Sequence, residues 1–311
     1  MGNCIKSDRD KNIEEFHEKY FSPSNITDMG DSSEAPSENV SVRVANIPFL
    51  DLPAVKIMQS RFTSSDFLAE FDSAKLKFIG PFKYKEHSEI YFGEYESGNR
   101  NGWGYQYFPN GAFYQGQFKD DKIEGKGRLI LAHGDVYEGE WKENKAYGQG
   151  NYYKLDGSIF KGNWINDAKV GKGMETYTDG TSFEGDYKEN LKNGKGELKF
   201  SNGDKYTGDF DLGEISGNGI YTFSDGKIYS GSWKRGKMNG KGIMTWPDGK
   251  KYDGFFRKSE RSGKGVMTWP DGSKYEGEWK SGKKHGKGLF VGGDGKKVKG
   301  MFEEGKYIGS S

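Results

Sequence analysis

The sequence predicts an all-β protein: an elongated, single-layer antiparallel β-ribbon of about ten 23-residue hairpin repeats, with a disordered N-terminal tail and a short capping helix. Three observations predict it. An aromatic-x-Gly-x-aromatic motif returns every 23 residues without insertion from 91 to 309. Glycine occurs 48 times, beside 7 Trp, 19 Tyr and 21 Phe. Yet only 32% of the 311 residues are apolar and 30% are charged, with a mean hydropathy of −0.92. Many rings and few aliphatics suit a thin fold that buries mostly aromatic surface, not the thick core of a chain this long.

The repeat comes first. Tyr91 and Gly93 recur as Tyr114 and Gly116, then as Tyr137, Gly139 and Trp141, and as Phe160, Gly162 and Trp164. Gly185, Gly208 and Gly254 mark further copies, with Tyr229, Gly231 and Trp233 and with Tyr275, Gly277 and Trp279 between and after them. Full units start near 91, 114, 137, 160, 183, 206, 229, 252 and 275, and a partial one at 298 (Val298, Gly300, Phe302). Five residues after the motif glycine stands Gly, Asn or Asp in eight of the nine full units, with Ser259 the exception. A Gly-x-Gly pair follows at plus nine and plus eleven, as in Gly102 and Gly104. Asn-Gly, Asp-Gly or His-Gly closes the unit, as in Asn110-Gly111 and His133-Gly134.

Each element follows from its residues. Asn-Gly and Asp-Gly supply the positive φ angles of a tight hairpin turn. The residue at plus five marks a second turn, where a left-handed conformation is cheapest for Gly, Asn or Asp. Two turns per unit leave two strands of roughly six residues. Strand alternation puts both rings of the motif on one face. The intervening glycine leaves room on that face for a ring from an adjacent strand, and each unit advances the ribbon by roughly 10 Å.

These residues resemble the MORN repeat (membrane occupation and recognition nexus), a unit of the form Tyr-x-Gly-x-Trp-x-x-Gly-x-x-x-Gly-x-Gly. The stretches 229–242 and 275–288 match it fully. Departures are Phe160, Phe183 and Val298 in place of Tyr, and Ser259 in place of the first-turn Gly. The last unit is expected to cap the C-terminal edge. The resemblance implies a non-catalytic scaffold for protein partners at membrane–cytoskeleton sites. It also implies homodimer formation through C-terminal repeats, where an edge strand near residue 300 could pair.

The flanks divide the chain into 1–45, 46–76 and 77–311. Residues 1–45 are polar and expected to be disordered, with one short amphipathic run at Ile13, Phe16, His17 and Tyr20. Residues 46–61 carry Pro48 and Pro53 and read as extended. Residues 65–76 read as a capping helix with Phe67, Leu68 and Phe71 on one face. The ribbon is expected from near Lys77.

Met1-Gly2-Asn3-Cys4 resembles a dual-acylation start, with Gly2 the myristoylation site and Cys4, the sole cysteine, the palmitoylation site. A second chain makes anchoring stable where a single myristoyl is marginal. Lys6 stands where the motif asks for Ser or Thr. One cysteine permits no intramolecular disulfide and points to a reducing compartment. No apolar run reaches transmembrane length. The expected location is therefore cytoplasmic, peripheral on the cytosolic face of a membrane.

The net charge of +1 hides a gradient. Residues 86–232 carry 17 basic and 24 acidic groups, residues 233–311 carry 19 and 9. Within the basic quarter, Lys234, Arg235, Lys237, Lys280, Lys283, Lys284 and Lys287 place cations beside turn amides, a cradle for a phosphoinositide headgroup. Simple soluble surface is the alternative, as is pairing with the acidic stretch of a second molecule. Catalytic signatures are absent. There is no phosphate loop of the nucleotide-binding type, and Gly-x-Gly belongs to the repeat. The histidines His17, His87, His133 and His285 lack metal-binding spacing. The carboxylates recur with the period and read as solvated strand residues. The reading is no enzyme, no cofactor, no metal and no nucleic acid, since the rings are committed to the repeat and overall charge is near neutral.

Overall fold

The computed structural model describes residues 27–28, 79–84 and 89–310. Gly2, Cys4, the run at 13–20, the extended segment and the helix expected at 65–76 lie outside the described residues. The chain forms two compact units, one ending at Ala168 and one beginning at Lys169. Among the described residues all regular structure is β, and each unit is an antiparallel meander. The one parallel pairing among them joins Thr27–Asp28 to Ile79–Tyr84. Ile79–Tyr84 in turn pairs with Glu89–Glu96.

From Phe113 to Val291 each repeat is a seven-residue strand followed by a nine-residue strand, such as Val136–Lys142 and Lys145–Tyr153, longer than the six expected. The glycines fix the register. Gly139 faces Gly150 on one side and Gly127 on the other, and the same triple recurs in the second unit at Gly208, Gly219 and Gly196.

The structure exchanges the roles expected of the two turns. The tight two-residue loop is the one at plus five, where both central residues have positive φ: Glu143 and Asn144 at 49° and 65°, Leu212 and Gly213 at 48° and 86°. That is the type I′ geometry, whose twist matches the flanking strands. Asn-Gly and Asp-Gly sit instead in a wider loop where glycine alone has positive φ. The Gly111 amide bonds back to the Phe108 carbonyl, and the Phe108 amide to the Ala112 carbonyl. The Asn110 side chain keeps ordinary backbone angles and accepts from the Ala112 amide at 3.0 Å. Sequence reading missed the exchange because Asn-Gly suits both geometries, while Glu143 or Leu212 at positive φ suits neither by propensity.

The plus-five residue also ties each repeat to the one before it. The Asn144 amide donates to the Ile123 carbonyl, and the Asn144 side chain accepts from the Ile123 amide at 2.8 Å. Ser259, an exception by sequence pattern, makes the same tie through its hydroxyl, which accepts from the Met238 amide at 3.3 Å.

Between the two glycines of Gly-x-Gly the ladder breaks. Gly217 has φ of 69°, and pairing jumps from Gly208↔Gly219 to Phe210↔Ile215. A bulge of this kind strands backbone polar groups. Asp209 and Tyr206 recover them: the Asp209 carboxylate accepts from the Asn218 amide at 2.8 Å, and the Tyr206 hydroxyl donates to the Asp209 carbonyl at 3.0 Å. A Cβ at Gly217 would stand 2.7 Å from that carboxylate, which is why the bulge residue is glycine.

The motif rings form a ladder on one face. The ring over the motif glycine comes from that glycine's own strand, not from the adjacent strand as expected. Tyr137 lies along its strand and covers both Gly139 and Gly150. The second ring of the motif docks edge-on against the preceding repeat's tyrosine: Trp141 against Tyr114 at 5.5 Å and Trp164 against Tyr137 at 5.2 Å. In the second unit Trp233 meets Tyr206 at 5.4 Å and Trp279 meets Tyr252 at 5.2 Å. The indole N–H of Trp141 donates to the Gly127 carbonyl, so the buried tryptophan keeps its polar atom satisfied.

Candidate interaction surfaces

Strand alternation gives each unit a ladder face and a far face. The ladder face is consumed internally. Gaps between its rings are filled at plus seven by Arg100, Ile123, Ala146, Lys192, Ile215, Met238, Arg261 or Lys284. Arg261 stacks 4.5 Å over Trp279 and donates to the Gly282 carbonyl at 2.6 Å. The Lys284 ammonium lies 4.9, 5.0 and 4.6 Å from the rings of Trp269, Tyr275 and Phe290. Burial there pulls its pKa down, and the ring faces supply the compensating attraction.

One carboxylate interrupts this face. Glu175 stands where other repeats carry Leu129, Leu198, Met244 or Met267. It accepts from the hydroxyls of Tyr177 and Tyr187 and lies 3.2 Å from Lys169 and 3.6 Å from Lys192. Burial pushes its carboxyl up, but the Tyr177 hydrogen bond and the two ammonium groups hold it below the usual range. On the first unit's far face, Arg128 and Glu138 form a buried ion pair amid Phe113, Ile130 and Val136. These carboxylates are structural rather than solvated, as is Asp204, which accepts from the Tyr221 hydroxyl and the Ser224 amide, both at 2.7 Å. Sequence periodicity hid them because each occupies a position that is plain surface or apolar in neighbouring repeats.

No helix among the described residues is long and apolar enough to cross a membrane. The described residues contain no group of three or more His, Cys, Asp or Glu that could hold a metal ion. His133 lies 3.2 Å from Asp135, exposed at a loop, with the carboxylate already shared by Tyr152 and the Leu155 amide.

The basic residues named from the sequence do not converge on one cradle. Lys234, Arg235 and Lys237 surround one type I′ loop. Lys280 and Lys283 flank another, two repeats on, which places the loops roughly 20 Å apart along the edge. Lys283 is paired with Glu304 at 2.5 Å, and Lys284 faces into the rings. Lys287 lies on the far face opposite Met301. Between the two loops stand Arg257 and Lys258, which the sequence reading passed over.

The far face of the second unit carries the remaining chemistry. Ile243, Val266 and Leu289 recur on alternate strands, with Asp253 and Glu276 between them. Ile220 continues this row at 49% exposure, and Phe255, opposite Lys241 at the row's flank, is 50% exposed. Two residues to one side lie Lys241, Lys264 and Lys287, and two to the other Lys251, Lys274 and Lys297. Among the described residues Lys274 has an ion-pair partner, Glu276 at 3.0 Å, while the other five have none.

A single-layer antiparallel meander, built of glycine-registered hairpins of one 23-residue period, defines an open β-repeat module. Eight consecutive MORN repeats match the family model, at 114–136, 137–159, 160–182, 183–205, 206–228, 229–251, 252–274 and 275–297, so the chain belongs to the MORN-repeat family. No curated protein matches it. Among solved structures, the TCP10 domain of Danio rerio CPAP, in complex with a peptide of Danio rerio STIL, is similar with a TM-score of 0.40 and 13% identity, covering 69% of this chain and all of that one. The CPAP G-box domain gives a TM-score of 0.34 and 18% identity, covering 65% and 100%. The SAS-4 TCP domain of Drosophila melanogaster gives 0.31 and 17%, covering 48% and 81%.

Proposed function

We propose that the protein is a non-catalytic scaffold, held on the cytosolic face of a membrane by acyl chains on Gly2 and Cys4, and that its repeats organise protein partners at membrane–cytoskeleton sites. One observation carries the scaffold reading: the ladder side chains are spent on the protein's own packing, while the second unit's far face presents half-buried and exposed aliphatic side chains together with cationic ones. The anchor reading stands on Met1-Gly2-Asn3-Cys4. Cells expressing C-terminally tagged wild type, Gly2→Ala and Cys4→Ser are fractionated. Wild type in the membrane pellet with both variants soluble supports the anchor; Gly2→Ala remaining in the pellet rejects it.

The second reading is direct phosphoinositide binding at the basic turn edge, favoured by the line Lys234, Arg235, Arg257, Lys258 and Lys280 along one side of the sheet. Reversing Lys234, Arg235 and Lys280 to Glu would abolish sedimentation with phosphoinositide vesicles. Unchanged sedimentation would reject this reading. A homodimer through the C-terminal repeats would use the short edge strand Lys306–Gly309.

A further inference from the structure

We propose that the far face of the second unit, along Ile243, Val266 and Leu289, is a docking surface for an acidic amphipathic helix of a partner protein. The inference rests on the scaffold reading and names the kind of partner.

The first argument is spacing. Ile243 pairs across to Asp253, Asp253 to Val266, Val266 to Glu276 and Glu276 to Leu289. The aliphatic side chains therefore recur on every second strand, about 9.6 Å apart at the usual strand separation. An α-helix rises about 10.5 Å in seven residues. A helix laid along the row would place one apolar residue of each heptad on each repeat, from Ile220 to Leu289. An extended peptide, at about 3.3 Å per residue, would repeat its contacts every three residues and so turn alternate contacts to opposite sides.

The second argument is charge. The lysine columns lie two residues to either side of the aliphatic row, about 7 Å away; the column of Lys241 and Lys264 is interleaved with Phe255 and with Glu278, whose carboxylate turns to the bulge glycine Gly286. That is the lateral reach of side chains flanking the buried stripe of a helix about 10 Å across. Five of those six lysines have no ion-pair partner among the described residues. The matching helix therefore carries Glu or Asp on both flanks of its apolar stripe. Charge complementarity of this kind fixes register and speeds encounter.

The third argument disfavours a bilayer. Asp253 and Glu276 stand within the aliphatic row itself, and immersing the row in hydrocarbon would desolvate both carboxylates. A helix with a small residue at the fourth position of each heptad meets the aliphatic strands with its larger side chains and leaves the intermediate carboxylates room to stay hydrated.

The test uses the full chain and a synthetic four-heptad peptide with Leu at the first and Ala at the fourth position of each heptad and Glu on both flanks. Its control has the same composition in scrambled order. Binding is read by fluorescence anisotropy at two salt concentrations. The expected result is saturable binding at least tenfold tighter than the scrambled control. It should weaken at least tenfold in Ile243→Asp/Val266→Asp, and at least tenfold in Lys241→Glu/Lys287→Glu with a shallower salt dependence. Both variants should keep the wild-type melting temperature within a few degrees. If either variant fails to fold, Val266→Ser and Lys241→Gln replace it, with threefold losses expected.

Equal binding of the scrambled peptide overturns the proposal, because charge alone then suffices. Variants that bind as wild type overturn it too. So does sedimentation of wild type, and not of Ile243→Asp/Val266→Asp, with vesicles of roughly one-third phosphatidylserine, since the occupant is then lipid. A concentration-dependent dimer lost in the same variant assigns the face to a second copy and overturns it likewise. None of these outcomes touches the membrane anchor, which the Gly2→Ala fractionation decides separately.

Discussion

The Tyr137 ring lies flat over Gly150, the residue facing Gly139 on the next strand, and its hydroxyl donates to the Glu140 carbonyl at 2.9 Å. A methyl group at either glycine would enter the ring's volume, and at Gly139 it would also press on backbone atoms of Gln149 and Gly150. The ring cannot swing aside without exposing itself and losing the bond that satisfies the bulge. Gly150→Ala is therefore expected to cost about 2–3 kcal/mol, the range of overpacked cores. Tyr137→Phe keeps the ring and should cost only about 1 kcal/mol, in line with Phe160 and Phe183 at the same position. Chemical denaturation of both variants checks the order. A Gly150→Ala loss no larger than that of Tyr137→Phe would mean that the ring does not fix the glycine.

The plus-five position offers a stabilising change. Asn144 makes two bonds to the preceding repeat, whereas Gly236 makes one, from its amide to the Ile215 carbonyl. Gly236 already has φ of 68°, close to the 65° of Asn144, and a Cβ there meets nothing. Gly236→Asn supplies an acceptor for the Ile215 amide, with a residue that tolerates this conformation. It is expected to raise stability by about 0.5–1 kcal/mol. Asn144→Ala should lower it by about 1–2 kcal/mol, from the lost bond and the positive φ. Thermal melts decide both signs.

The repeat, its 23-residue period and the one-sided display of rings were legible in the sequence because period and alternation are properties of spacing alone. The exchange of turn types was not, since Leu212 and Arg235 at positive φ are imposed by the strand twist on either side rather than chosen by propensity. The candidate interaction surface was legible only as a charge excess. Which of those cations reach solvent depends on parity: Lys284 and Lys283 are adjacent, yet one faces into three rings and the other out to Glu304. The aliphatic row escaped notice because its members lie 23 residues apart and each adjoins a ladder-face residue, Met244, Met267 or Phe290, so that no strand alternates cleanly between apolar and polar.

Lys284 provides a direct check on that parity. Held among Trp269, Tyr275 and Phe290, it should tolerate Met, the residue of the same position at Met238, with a change of at most about 1 kcal/mol. Lys284→Glu should destabilise by about 2 kcal/mol or more, because it sets a carboxylate against ring faces of like sign. Phosphoinositide-vesicle binding by Lys284→Met should equal that of wild type. A loss of vesicle binding without a loss of stability would place the ammonium on the surface instead.

Glu175 links the ladder to pH. Its folded pKa lies below the ordinary carboxylate value because Tyr177, Lys169 and Lys192 outweigh burial. A depressed folded pKa contributes stability that is present above the unfolded pKa and lost as pH falls through the folded one. Wild type should therefore lose stability below about pH 4.5, and Glu175→Gln should show a shallower loss over the same window. Glu175→Leu alone restores the residue type of Leu129 and Leu198 but leaves two largely buried ammonium groups without their carboxylate. It is expected to cost about 2–3 kcal/mol, the penalty for breaking such a cluster from one side. Adding Lys169→Ile and Lys192→Ile, after Ile123 and Ile215, removes the orphaned charges and should bring stability back to wild type or above. The triple variant should also lose the acid-sensitive step. If it stays as unstable as Glu175→Leu, the cluster is held by its hydroxyl bonds and not by charge. The two tyrosines then become the next residues to replace, Tyr187→Trp first, since Trp stands at that position in Trp164 and Trp233.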